Sequence, residues 1–186
     1  MSWKSGSAAL ALAVVGLVVP RAARADVAAV YAEGHGGVTT SGGTGSPDTS
    51  PGGFGFRLGA RLLIFEGYYD YTDFGGSGAI SRGIGGLRAG FGSSDVRLVL
   101  RAGGGVISER GGALTGNSFE VGTRTGGVGR IGAALEAQVA PAVLLGLGID
   151  AETFILAGPS AGPRDDGLYT GSDVFANLHV MFELGI

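Results

Sequence analysis

The sequence contains no cysteine, and its only tryptophan and only lysine, Trp3 and Lys4, both lie near its start. The lack of cysteine excludes disulfides and thiolate metal sites. No stretch after residue 25 is apolar and long enough to span a membrane as a helix, which needs about 20 residues. We expect no nucleic-acid partner, because the formal net charge is −3 and no basic surface is indicated. The chain has 39 glycines, and it is 45% hydrophobic and 16% charged. The high hydrophobic and low charged fractions indicate a folded protein.

Residues 1–25 have the pattern of a secretory signal peptide. Lys4 supplies a positive start, residues 8–19 are uncharged and apolar, and Pro20 ends that run. Ala23 and Ala25 form a small-x-small cleavage site before residue 26. We therefore predict that residues 1–25 are cleaved and that residues 26–186 form one exported domain.

The rest of the chain alternates between apolar and polar residues in eight segments, and a period of two predicts β-strands. The predicted strands cover 27–36, 54–61, 63–73, 81–91, 96–107, 126–139, 142–155 and 173–186. The predicted long connectors cover 37–53, 74–80, 108–125 and 156–172, and the short ones lie near 61–62, 92–95 and 140–141. This alternation of long loops and short turns is typical of an outer-membrane β-barrel. Because residues 61–63 lack turn-forming types, the second and third segments could instead form one long strand.

One face of the predicted strands carries the charged residues, and the other face is apolar. The charged face has equal numbers of basic and acidic groups, which suits side chains packed inside a narrow barrel, where an unpaired charge is costly. We predict a lumenal network of Arg57, Arg61, Arg82, Arg88, Arg97, Arg101, Arg130, Glu33, Glu66, Asp70, Glu136, Asp150, Glu152, Glu183 and His179.

Aromatic residues lie near the ends of the predicted strands, as in the two interfacial girdles of membrane barrels. The predicted girdle residues are Phe54, Phe56, Tyr69, Tyr71 and Phe154 at the loop ends, and Phe91 and Phe182 at the turn ends.

With these features, residues 26–186 resemble the small OmpA/OmpX-type outer-membrane barrels. The resemblance rests on the signal peptide, the eight segments, the loop rhythm and the last strand, which ends Val180-Met181-Phe182-Glu183-Leu184-Gly185-Ile186. It implies an all-β, eight-stranded antiparallel transmembrane barrel with an up-and-down meander and both termini in the periplasm. It also implies contact with outer-membrane lipids and recognition of the last strand by the barrel-assembly machinery. Ile186 stands where the family usually has an aromatic residue.

Three other motifs are candidates for binding or catalytic sites. Residues 127–132 read G-x-G-x-x-G, but neither a buried strand before them nor other βαβ units support a dinucleotide site. His179 and His35 could serve a lipid-modifying enzyme, yet we expect His179 to bond a lumenal acid such as Asp150, Glu152 or Glu183. Loop acids such as Asp165 are expected to lie in solvated turns rather than to bind calcium.

We therefore predict a monomeric outer-membrane barrel of Gram-negative bacteria with a structural or surface-interaction role, without catalysis, cofactor or metal. Eight strands leave a lumen that side chains can fill, so a wide pore is not expected. Any extracellular ligand is expected to bind the loops around 37–53, 108–125 and 156–172. A small-conductance, porin-like channel and a lipid-modifying enzyme stay open as alternatives.

Overall fold

The structure, a computed structural model, describes residues 28–41, 52–75, 78–93, 95–111, 123–158 and 168–185. Within these residues the chain forms eight antiparallel strands in one closed barrel, in which each strand pairs with its neighbours in sequence and β1 pairs with β8. The predicted fold class is thereby confirmed. The predicted signal peptide with Ala23 and Ala25, as well as Ile186 and Asp165, lie outside the described residues.

Most of the strands are longer than the sequence pattern predicts. They are β1 Ala28–Ser41, β2 Gly52–Leu62, β3 Phe65–Asp73, β4 Ala79–Gly92, β5 Val96–Arg110, β6 Thr123–Ala140, β7 Val143–Ala157 and β8 Leu168–Gly185. The largest differences are at the loop ends of β1, β5, β6 and β8. There, residues that the sequence pattern predicts as loop are paired with the neighbouring strands. Pairs such as Ser108 with Thr125 and Thr153 with Ser172 belong to these extensions.

Two separate strands meet at residues 63–64, so the alternative of one long strand is wrong. Leu63 turns the chain with a φ of 55°, a left-handed value that an L-residue rarely adopts. Leu63 and Ile64 are exposed. Phe65 pairs with Leu87, whereas β4 continues to Gly92, farther toward the turn end. Along the ladder, β4 therefore continues five residues past the partner of Phe65.

The strands are strongly staggered around the barrel. A path that starts at Ala28 and moves from each residue to its direct partner on the next strand goes once around the barrel. It passes Leu62, Phe65, Leu87, Ala102, Ile131, Ala151 and Val174, and it returns to β1 at Thr40. The circuit thus starts near one end of β1 and returns near the other end. Such a stagger requires steeply tilted strands, so charged side chains on one row lie at different depths of the lumen.

A continuous belt of apolar side chains covers the outside of the barrel. On β5 it runs from Val96 to Val106, and Ser108 and Arg110 follow on the same face. At about 3.3 Å per residue and a tilt of about 45°, this run spans about 25 Å, which is the height of the lipid-facing band of membrane barrels. Exposed members of the belt include Phe56, Leu58, Leu87, Leu98, Leu100, Leu135, Leu147, Ile149, Leu178, Val180, Phe182 and Leu184.

Beyond the belt, at the loop end, the character of both faces changes. Hydroxyl side chains occupy outward positions there: Thr125, Thr153, Thr170 and Ser172. Inward positions at the same level include apolar residues such as Phe154 and Leu156 of β7. The barrel therefore has a lower section that is apolar outside and charged inside, and an upper section with more polar side chains outside and an apolar layer inside. Separately, the described residues include no helix that is long and apolar enough to cross a membrane.

Candidate functional site in the barrel lumen

The centre of the lumen is an ion-pair cluster around Asp70 of β3. Its carboxylate accepts hydrogen bonds from Arg57 at 2.8 and 3.0 Å, from Arg82 at 3.1 Å and from Arg130 at 3.5 Å. The three arginines come from β2, β4 and β6, because the stagger brings alternate strands to one depth. Asp70 is 1% exposed, so its charge is neutralised by these guanidinium groups rather than by solvent.

Each of these arginines also pairs with a second carboxylate. Arg57 lies 3.0 Å from Glu33 of β1, and Arg130 donates to Asp150 of β7 at 2.6 Å. Arg82 donates two bonds to Glu152 of β7, at 2.6 and 2.9 Å, across the barrel interior. The resulting group, which we call the central cluster, consists of Glu33, Arg57, Asp70, Arg82, Arg130, Asp150 and Glu152.

A second group of charges, the lower cluster, lies toward the turn end of the barrel. Its members are Arg61, Glu66, Arg88, Arg97, Arg101, Glu136 and Glu183. Glu136 accepts hydrogen bonds from Arg88 at 3.0 Å, from Arg97 at 2.7 Å and from Arg101 at 3.3 Å. Arg97 also reaches Glu183 of β8 at 3.2 Å, and Arg101 lies 3.6 Å from Glu33 of the central cluster.

Tyrosine rings fill the spaces between the charges. The Arg57 guanidinium lies over the Tyr68 ring, 4.7 Å from its centroid, and Arg88 lies 5.6 Å from the Tyr31 centroid. The Tyr31 hydroxyl donates to Glu66 at 2.7 Å. Such cation–π contacts stabilise a desolvated guanidinium by up to about 2 kcal/mol, so these rings support the network as well as fill volume.

Above the central cluster, the upper section of the lumen contains a layer of apolar side chains, together with the buried charged residues Glu109, Arg124 and Asp173. This outer apolar cluster consists of Phe74, Ile80, Ile84, Ile107, Val128, Phe154, Leu156 and Phe175. Tyr169 of β8 packs against it, stacked on Phe154 with ring centroids 6.1 Å apart and with Arg124 above its ring.

The structure places all fifteen residues of the sequence-predicted network inside the barrel, within the central and lower clusters or beside them. Of the girdle residues, Phe54, Phe56, Tyr69, Phe91 and Phe182 are exposed on the outside. Tyr71 lies against Phe56, with ring centroids 5.7 Å apart.

Phe154 departs from the prediction, because its ring points into the lumen and is 3% exposed. It shares the inward parity of Asp150 and Glu152, and its ring packs within the outer apolar cluster. The sequence analysis also missed the buried charges Glu109, Arg124 and Asp173. The first two fall in segments that read as loop, although the continued alternation around them is the signal that could have found them.

The two histidines are direct neighbours across the β1–β8 closure, where His35 pairs with His179. The Nδ1 atom of His179 shares a hydrogen bond with Asn177 at 3.1 Å, and its Nε2 lies 3.7 Å from Glu136. Its acidic neighbour is thus Glu136, and not one of the three acids that the sequence suggested. The difference follows from the stagger, which brings β6 to this depth of β8.

His35 belongs to the arrangement that is closest to a catalytic triad. Its Nε2 lies 3.2 Å from Thr72 Oγ1, and its Nδ1 lies 3.9 Å from Glu33. Thr72, however, donates its hydroxyl proton to Asp70 at 3.2 Å, which leaves His35 to donate to Thr72 rather than to act as its base. Phe175 packs edge-on against the His35 ring, and His35, Thr72 and Glu33 are each more than nine-tenths buried. Within the described residues, these three side chains are therefore packed away from solvent.

Residues 127–132, the G-x-G-x-x-G match, lie within β6 and pair with β5 and β7. Their neighbours are antiparallel strands instead of the helix that a dinucleotide site requires. The motif is therefore a strand with alternating small residues.

Comparison with known proteins places the fold. No family model matches the chain, and no curated protein matches it. The structure is similar to the crystal structure of Neisserial surface protein A (NspA), with a TM-score of 0.52 and 16% identity, over 83% of this chain and 96% of that one. The chain has the fold of NspA. The N-terminal β-barrel domain of Pseudomonas aeruginosa OprF aligns with a TM-score of 0.49 and 16% identity, over 83% and 97% of the two chains. The expected OmpA/OmpX-type barrel is confirmed as a fold.

Proposed function

We propose that this protein is a monomeric outer-membrane barrel whose sealed lumen has a structural role and whose outer end serves surface interactions, without catalysis. The observation that carries the proposal is the opposite polarity of the two faces in the lower section. An apolar belt about 25 Å high around a charged interior is stable when its outer face contacts lipid. The proposal includes cleavage after Ala25, periplasmic termini, and assembly through the last strand.

Two features support a sealed lumen. The ion pairs of the central and lower clusters cross the interior from strand to strand, as with Arg82 and Glu152 or Arg97 and Glu183. Above them Phe74 and Phe175 meet at 6.4 Å between ring centroids, within the outer apolar cluster. An ion would have to break several buried pairs and then cross an apolar layer, and each step carries a desolvation cost.

Membrane insertion is tested by expressing the full chain in a Gram-negative host and separating the membranes. We expect the protein in the outer-membrane fraction, resistant to urea extraction, with faster migration in SDS gels before boiling than after. Edman sequencing should begin at Asp26. A protein that stays in the soluble periplasmic fraction and migrates identically before and after boiling would contradict the proposal.

The channel and enzyme alternatives are tested with the same purified barrel. In planar bilayers we expect no stepwise conductance above background, and conductance that changes in Arg97→Ala or Arg101→Ala would establish a channel instead. For the enzyme, expression should leave the lipid A mass spectrum unchanged. A modified spectrum that reverts with His35→Ala or His179→Ala would overturn the non-catalytic role.

A further inference from the structure

The turn between β2 and β3 consists of consecutive large apolar residues that point away from the barrel. Leu62, Leu63, Ile64 and Phe65 are 57%, 60%, 53% and 61% exposed. Such a run is unfavourable in water, and an exposed apolar patch usually marks a surface of contact. Residues 62–65, which we call the apolar turn, therefore form a surface that a partner outside the barrel has to cover.

The backbone of the apolar turn shows that its residue types do not suit water. Leu63 has a φ of 55°, a left-handed conformation that is costly for a leucine and that glycine, asparagine and aspartate adopt more readily. Those three residue types are also the usual ones in solvated turns. The chain instead combines backbone strain with exposed apolar surface. Contact with an apolar environment offsets both, because it removes that surface from water.

The apolar turn is held against the outer wall of the barrel. The backbone N–H of Arg88 donates to the carbonyl oxygen of Ile64 at 2.7 Å, which fixes the turn beside β4. Phe65 is the direct partner of Leu87, a half-exposed member of the apolar belt. The apolar surface of the turn thus continues into the belt.

The next turn at this end of the barrel has the opposite composition. Residues 92–95 read Gly-Ser-Ser-Asp. Gly92 supplies the positive φ, at 131°, and the backbone N–H of Ser93 donates to the carbonyl oxygen of Val96 at 2.9 Å. This turn has the residue types that suit water. The two turns therefore call for different surroundings, and the second one is a natural control for the first.

We propose that the apolar turn is a lipid-binding surface, on which residues 62–65 contact acyl chains instead of water. The inference rests on the proposed membrane location and goes beyond it, because it assigns a lipid partner to one turn outside the strands. Two observations favour lipid over a second copy of the chain or another protein. The surface is continuous with the belt, and the run contains no polar side chain, whereas protein interfaces combine an apolar centre with a polar rim.

The test is tryptophan fluorescence of the folded barrel in phosphatidylcholine vesicles. The sequence has one tryptophan, Trp3, so in a Trp3→Phe background each introduced tryptophan is the only reporter. We expect lipids with brominated acyl chains to quench Ile64→Trp several-fold more strongly than Ser93→Trp in the polar turn. Phe65→Trp is a conservative exchange on the same surface, and it serves as the second reporter if Ile64→Trp folds poorly.

Leu147→Trp, within the belt, separates failure of this inference from failure of the proposed function. If brominated lipid quenches Leu147→Trp but neither turn reporter, the inference is overturned. Acrylamide then shows why, since it quenches a turn that lies in water and leaves unquenched a turn that protein covers. If brominated lipid does not quench Leu147→Trp either, the proposed membrane location is itself wrong, and the lipid contact of the turn is wrong with it.

Discussion

A single carboxylate, Asp70, holds three arginines from three different strands, and this makes it the residue on which the central cluster depends most. Removing one partner of a buried ion pair is costly because the other charges stay buried and lose compensation. The same reasoning makes each arginine of the cluster less critical than Asp70, since Asp70 keeps two other guanidinium partners when Arg57, Arg82 or Arg130 is replaced.

Asp70→Asn keeps the shape of the side chain and removes its charge. We expect the free energy of unfolding to fall by about 3–5 kcal/mol, measured by urea titration in micelles with far-ultraviolet circular dichroism. The large loss is expected because three buried guanidinium groups lose a shared partner at once.

The matched control is Asp73→Asn on the same strand. Asp73 lies at the loop end of β3, shares the outward parity of Tyr69 and Tyr71, and accepts a hydrogen bond from the backbone N–H of Gly75. An asparagine oxygen can still accept that bond, so the control should cost less than about 1 kcal/mol. Equal losses in the two variants would contradict the role given to Asp70.

Phe154 and Phe56 allow the same substitution to be compared on the two sides of the barrel wall. Phe154→Ala empties part of the outer apolar cluster, and a buried Phe→Ala change costs about 3–5 kcal/mol. Phe56→Ala removes an exposed outward ring and should cost clearly less. Urea titrations of both variants check this. A larger loss for Phe56 would contradict the buried, inward position of Phe154.

At the scale of the strands, the alternation predicts which residues share a face, and the structure has the predicted eight strands. The alternation does not predict where each strand ends, because outward residues such as Thr125 and Ser172 change from apolar to hydroxyl types and so resemble a loop. The sequence also does not predict which residues pair across the lumen, such as Arg82 with Glu152, because these pairs depend on the stagger of the closed barrel.

The change of polarity along β6 gives a direct test of where lipid ends in the proposed membrane. Ile131 and Thr125 face outward on this strand, the first within the apolar belt and the second above it. We expect Ile131→Arg to cost about 2–4 kcal/mol in a bilayer, and Thr125→Arg about 0–1 kcal/mol. Reversible urea unfolding in phospholipid vesicles measures both. Similar costs at the two positions would place the boundary elsewhere.

The turn between β6 and β7 contains a residue under conformational strain. Ala142 has a φ of 63° after Pro141, a position that favours glycine in such turns. Ala142→Gly should therefore raise the free energy of unfolding by up to about 1 kcal/mol, since the left-handed conformation costs an L-residue about 1–2 kcal/mol and glycine loses more chain entropy.

The matched control for this change is Ala151→Gly, in the extended backbone of β7. There glycine relieves nothing and should lower stability by about 0.5–1 kcal/mol. Thermal shifts of opposite sign in the two variants are the expected result. A destabilised Ala142→Gly variant would show that contacts of the alanine methyl group outweigh the backbone strain.

At the scale of the whole molecule, the barrel is a closed ladder around a filled interior, with an apolar belt of fixed height. The belt cannot stretch, because the ladder and the ion pairs that cross it hold the strands at one tilt. In the proposed membrane, the surrounding bilayer therefore has to adjust to the protein.

This rigidity predicts a dependence on lipid length. We expect the folded barrel to be most stable in vesicles with a hydrocarbon thickness of about 25 Å, with stability falling by fractions of a kcal/mol per ångström of mismatch. A series of saturated phosphatidylcholines of increasing chain length, with urea unfolding as the readout, measures the optimum. Stability that is independent of chain length would contradict a belt of fixed height.

The apolar turn at Leu63 and Ile64 gives this belt an uneven lower edge. The neighbouring β4 continues along the ladder past Leu87, the partner of Phe65, to Gly92. In the proposed membrane, lipids at the turn end meet a large apolar turn here and the Gly92-Ser93-Ser94-Asp95 turn on the next hairpin. The barrel then has a front and a back within the plane of that membrane.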